Sequence, residues 1–68
     1  MRYKFLEGKI AERGIKKRVV AEKLGITPKA LSNKLTGKAP FTWLEACAVQ
    51  ENFFPDLSKD ILFQESND

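Results

Sequence analysis

Residues 21 to 37 read Ala-Glu-Lys-Leu-Gly-Ile-Thr-Pro-Lys-Ala-Leu-Ser-Asn-Lys-Leu-Thr-Gly, and this stretch constrains the chain more than any other. Gly25 permits the positive φ angle that ends one helix, and the small Ala21 lets two helix backbones approach closely. Thr27 then caps a second helix. Pro28 takes its first position, where the missing N–H costs no hydrogen bond, and Ile26 and Leu31 have the spacing of a hydrophobic staple across the cap. Gly37 closes this second helix and Pro40 bars its continuation. Two short helices joined by a tight turn fit the stretch better than any alternative.

The remaining segments predict helices as well. Tyr3, Leu6 and Ile10 recur one turn apart between charged residues, as in an amphipathic helix from Tyr3 to Arg13. Gly14 stops it, and Ile15 can pack back on its last turn. The next helix runs from about Lys16 or Lys17 to Leu24, with Val20, Ala21 and Leu24 inward and Lys17, Arg18 and Glu22 largely outside. Its start is weakly specified, because Lys16 stands where Ser, Thr or Asp is preferred. Thr42-Trp43-Leu44-Glu45 is a capping box that opens a fourth helix reaching about Asn52. Ala46, Val49 and Phe53 form its inward stripe, flanked by Leu44, Cys47 or Ala48, and Pro55 ends it. Ser58 caps a last turn or two in which Ile61 and Leu62 pack inward. No segment alternates as a strand does. The expectation is an all-α, compact bundle of about five short helices: one domain over residues 1–63, with a polar tail over 64–68.

Sixty-eight residues leave room for one small domain, burying only about 60% of the surface that its unfolded chain exposes. The single Cys47 cannot form an internal disulfide, and with no histidine the usual Cys/His zinc sites are excluded. Neither a metal nor a cofactor is expected. The longest apolar run, Ala46 to Val49, is far too short for a membrane span, and the N-terminus is too charged for a signal peptide. A soluble protein of a reducing cytoplasm is the expectation, with no membrane partner and no small-molecule substrate. The acidic residues make no credible catalytic pair, so no enzyme activity is assigned. Phe41 and Trp43 are expected at the core or its edge, and Cys47 as a small buried apolar residue, since nothing nearby would lower its pKa.

Charge divides the chain. Residues 1–38 hold eleven Lys/Arg against three Glu, whereas the remaining thirty hold one Lys against six Asp/Glu, so the net charge of +3 hides a basic half and an acidic one. A solvated face normally mixes signs, and a single-sign half points to a polyanion. At about 100° per residue, Ala30, Leu31 and Leu35 set the buried side of the third helix, Pro28 to Thr36. The opposite side centres on Lys29 and Asn33, with Ser32 and Thr36 at its margins and Lys34 on the flank. Lysine donates to the guanine acceptors and asparagine matches the adenine edge, so Lys29 and Asn33, with Ser32 at the margin, are the candidates for base contacts. Lys17, Arg18, Thr27, Thr36 and Lys38 lie at or beside the helix ends and are the candidates for phosphate contacts.

Residues 3 to 63 resemble the helix-turn-helix domain of the phage repressor and Cro type. The pieces that carry the resemblance are Gly14-Ile15, Ala21-Glu22-Lys23-Leu24-Gly25-Ile26-Thr27, Leu31-Ser32-Asn33-Lys34-Leu35-Thr36-Gly37-Lys38 and Pro40-Phe41-Thr42. The resemblance implies a lambda-repressor-like bundle that binds a two-fold double-stranded DNA operator as a homodimer, with the third helix in the major groove. It also implies control of transcription, often in a phage switch, and points to Lys29, Ser32 and Asn33 for bases. Two positions depart from the pattern. Lys17 replaces a glutamine that bridges to the third helix in many relatives, and Pro28 replaces a polar residue that in some reads a base. Larger repressors add a second domain, so this chain looks more like a Cro protein or a minimal repressor.

Phe53, Phe54, Leu57, Ile61, Leu62 and Phe63 put six large apolar residues into eleven positions. One small bundle is not expected to hide them all. Either Phe54 or Phe63 simply lies on the surface, or Phe54, Leu57 and Phe63 form a two-fold self-contact. A different class of function would use the same residues: an antitoxin or antirepressor gripping another protein through the Phe53 to Phe63 surface.

Overall fold

Tight backbone punctuation at glycine sets where the first three helices stop. The computed structural model describes residues 2–65 and contains five helices: α1 (Lys4–Glu12), α2 (Lys17–Leu24), α3 (Pro28–Thr36), α4 (Trp43–Phe53) and α5 (Lys59–Leu62). No strand occurs among the described residues, and the architecture is an all-α bundle. The end of the polar tail, residues 66–68, lies outside the described residues. Gly25 takes φ 71°, which lets the Ile26 N–H donate back to the Ala21 carbonyl at 3.0 Å and closes α2. Gly14, at φ 67°, ends the first helix in the same way, with the Ile15 N–H on the Ile10 carbonyl at 3.0 Å. Lys16, at the start of α2, makes no side-chain cap bond.

α2 is the hub, packing against both α3 and α4, while α5 lies on α4. The buried core takes Leu6 and Ile10 from α1, Val20 and Ala21 from α2, Leu31 and Leu35 from α3, Val49 from α4 and Leu62 from α5. Phe54 completes it. Three rings close one end of the bundle edge to face: Tyr3 on Phe41 at 5.3 Å, Phe41 on Phe63 at 5.1 Å and Tyr3 on Phe63 at 5.9 Å. They come from the N-terminal segment, the loop after α3 and the end of α5, so this cluster ties together parts far apart in the chain.

Several apolar residues sit elsewhere than their spacing predicts. Phe54 is 0% exposed, so it is a core residue and is not available to a self-contact. Its ring fills the core beneath the Arg13 guanidinium, 4.8 Å away, and Arg13 in turn donates to both oxygens of Asp56 at 3.0 and 2.7 Å and to the Phe53 carbonyl at 3.2 Å. Leu57 and Phe63 are half-buried and packed against the core. Trp43 and Leu44, expected at the core edge and flanking the inward stripe, are 71% and 79% exposed, and Ile61 is also outside. Cys47 is half-buried rather than buried. The reason is rotational: docking α4 on α2 through Val49 turns positions 43, 44 and 47 away from the core.

Replacing Phe54 by Ala therefore removes the largest fully buried side chain. The expected loss is about 3–5 kcal/mol of unfolding free energy, a large part of what so small a domain has. Urea denaturation followed by circular dichroism measures it, and an unchanged midpoint would remove Phe54 from the core.

Candidate nucleic-acid interface

Burial of Leu31 and Leu35 against α2 fixes the roll of α3 about its own axis. The Thr27 hydroxyl accepts from the Ala30 N–H at 3.1 Å, with Pro28 at the first position of the helix. At the other end Gly37 is left-handed, φ 94°, as the chain leaves the helix. With the buried side fixed, Lys29, Ser32 and Thr36 are exposed and Asn33 is half-buried. The side chains of Lys29, Ser32 and Asn33 find no hydrogen-bond or ion-pair partner among the described residues. Three of them on one side of one helix therefore keep their donors and acceptors for something outside the molecule.

The backbone around Asn33 is, by contrast, heavily used. Its carbonyl accepts from the Lys38 N–H at 2.8 Å, the Ala39 N–H at 3.2 Å and the Thr36 hydroxyl at 3.2 Å. These bonds hold the loop after α3 against the helix end and with it Lys38, whose ammonium has no partner among the described residues. Arg18 is likewise exposed and unpaired among them. Thr36 has already committed its single hydroxyl proton to Asn33, so it can donate to a phosphate only after rotating. Thr27 accepts with its oxygen at the cap and keeps its proton free.

Lys17 differs from its sequence reading. Its ammonium lies 2.7 Å from Glu7 on α1, and the second Glu7 oxygen is buried without a partner. Drawing Lys17 off to a phosphate would strand that carboxylate, which makes Lys17 a brace between α1 and α2 rather than a free cation. The exposed Lys16 beside it has no ion-pair partner among the described residues. Sequence alone could not separate these neighbours, because the deciding residue, Glu7, is ten positions away.

A second brace was also invisible in the sequence. The Lys34 ammonium pairs with Glu45 at 2.9 Å and donates to the Pro40 carbonyl at 2.9 Å, and the two side chains keep only 13% and 15% of their exposure. Glu45 also accepts from the Thr42 N–H at 2.9 Å, while its own N–H donates to the Thr42 hydroxyl at 3.1 Å. One carboxylate therefore caps α4 and anchors it to α3. Burial pushes the Glu45 carboxyl up, but the Thr42 N–H and the Lys34 ammonium outweigh it and hold the group below the usual carboxylate range. The Arg13 hydrogen bond likewise holds Asp56 low.

No group of His, Cys, Asp and Glu suited to a metal ion occurs among the described residues, and no described helix is long and apolar enough to cross a membrane. The chain matches no protein-family model, no curated protein and no solved structure. Its likeness to phage repressors thus stands on the motif residues alone.

Both lowered carboxylates have folded-state pKa values below their unfolded ones. Their contribution is complete above the unfolded value, about 4, and is lost as pH falls through the folded one. Urea midpoints should accordingly hold above about pH 5 and fall below about pH 4. Lys34→Ala leaves Glu45 half-satisfied and is expected to cost about 1–3 kcal/mol at neutral pH. Its penalty should shrink in acid, where Glu45 is protonated; a penalty independent of pH would rule out the ion pair as its source.

Proposed function

We propose that this protein is a sequence-specific DNA-binding regulator of transcription, a small repressor of the Cro type that acts as a homodimer on a two-fold operator. The observation that carries this reading is the outward side of α3, where Lys29, Ser32 and Asn33 have no partner among the described residues, flanked by Arg18 and Lys38, which are likewise unpaired among them. In the reading, α3 lies in the major groove, Lys29 and Asn33 meet base edges with Ser32 beside them, and Arg18, Thr27 and Lys38 grip the phosphates. Thr36 joins them after its hydroxyl turns, and Lys17 contributes its charge while bound to Glu7. Two copies would span half-sites one DNA turn apart, about 34 Å, and occupancy of the operator would block polymerase. Phage or prophage DNA in a bacterial cytoplasm is the setting that the resemblance suggests.

Positive charge concentrated around this helix supports binding to a polyanion, and the unpaired amide of Asn33 supports discrimination within it. Asn33→Ala should cost about 1–3 kcal/mol and relax choice at one base pair, whereas Lys38→Ala should weaken all sequences alike and lower the salt slope by about one. Duplexes selected from a random pool, titrated at two salt concentrations, measure both effects. Equal weakening of every sequence by both substitutions would refute the assignment of α3.

A further inference from the structure

The inward side of α4 carries Glu45, Ala46, Val49 and Phe53. Its outward side carries Trp43, Leu44, Cys47, Ala48 and Glu51, an apolar surface where a solvated helix is ordinarily charged. Local structure does not require this. Thr42 and Glu45 make the capping box, leaving positions 43 and 44 free to be polar, yet they hold the two most exposed large apolar side chains. Beside Trp43 the surface continues into a groove of about 370 Å³ lined by Tyr3, Phe41, Ala46, Lys59, Asp60 and Phe63.

We propose that this face of α4 is covered by the same face of a second copy, in an antiparallel contact with Cys47 at the two-fold axis. The two ends of the face are complementary for a second copy in one orientation, with Asp60 lying beyond Lys59 in the groove. The Lys59 ammonium lies 5.4 Å over the Trp43 ring at the N-terminal end of the face, and the exposed Glu51 marks its C-terminal end. At about 1.5 Å per residue, Trp43 and Glu51 each stand about 6 Å from Cys47, on opposite sides. A two-fold axis through Cys47 therefore sets Glu51 of each copy against Trp43 and Lys59 of the other, twice by symmetry, and against the positive end of the other α4. A parallel arrangement would instead set Glu51 on Glu51 and Lys59 on Lys59. The small Cys47 and Ala48 allow helix axes about 8–10 Å apart. At the wider spacing the two Cys47 Cα atoms fall within the roughly 4.4–6.8 Å that a disulfide spans.

Resting on the two-fold operator reading, this contact takes the place of the buried Phe54 in the dimer surface and runs beside Phe63. Sedimentation of the full chain, with and without a two-fold duplex, tests it. Leu44→Glu puts a charge into the contact and should raise the dimer Kd by about thirtyfold or more. E51K and K59E should each raise it by about tenfold, and the E51K/K59E double variant should return to within about threefold of wild type. Mild oxidation should link wild-type dimers through Cys47. A double variant no tighter than the singles, a dimer that Leu44→Glu leaves intact, or a wild type that stays monomeric even on the duplex would overturn the contact. Binding to an isolated half-site duplex keeps the two ideas apart. Wild type and Leu44→Glu should bind it equally, and a wild type that ignores it counts against the DNA reading while leaving the sedimentation result to judge α4.

Discussion

Leu31 and Leu35 can leave water only if α3 stays docked on α2, and the rest of the molecule depends on that docking. Burying the pair stabilises the fold by about 3–6 kcal/mol, against about 1 kcal/mol for the Thr27 cap at the start of the same helix. Packing therefore decides the roll of α3, and capping decides where it begins. Once the two leucines point inward, Lys29, Ser32 and Asn33 have no choice but to face out. The surface proposed to read DNA is thus a by-product of core formation, made rigid because moving it would expose the core.

Cations in the basic half divide into two kinds. Lys17 and Lys34 hold carboxylates on neighbouring helices, at 2.7 and 2.9 Å, and tie α1 to α2 and α3 to α4. Arg13 does the same for the loop before α5 while stacking on Phe54. Arg18, Lys29 and Lys38 have no such partner among the described residues. The first kind positions the helices, and the second is the kind proposed to meet DNA. Charge counted along the chain sees only the sum of the two.

The corner from Ala21 to Gly37 was legible residue by residue, because Gly25, Thr27, Pro28 and Gly37 each impose a local conformation regardless of what surrounds them. The capping box at Thr42 and Glu45 was legible for the same reason. The inward stripe of α4, Ala46, Val49 and Phe53, was legible too, but the exposure of its flanks was not. Its apolar residues run nearly all the way round, so periodicity placed Val49 inward but could not tell that Trp43 and Leu44, beyond the edge of that stripe, stand in water. Phe54 was misplaced because it follows the last residue of α4, where helical spacing no longer says which way a side chain points.

By itself the sequence determined the number of helices, their limits, the turn between the second and third, and which side of the third is polar. Those features follow from backbone φ angles, caps and apolar spacing within a few residues, all of which act before any tertiary contact forms. Only the tertiary structure decided which lysines are spent on carboxylates, that Phe54 is core, and that Trp43 and Leu44 face water. The lysines turn on carboxylates in another helix, Glu7 and Glu45, and the places of Phe54, Trp43 and Leu44 turn on how α4 docks; contacts between helices are set by how whole faces pack, which no local pattern encodes.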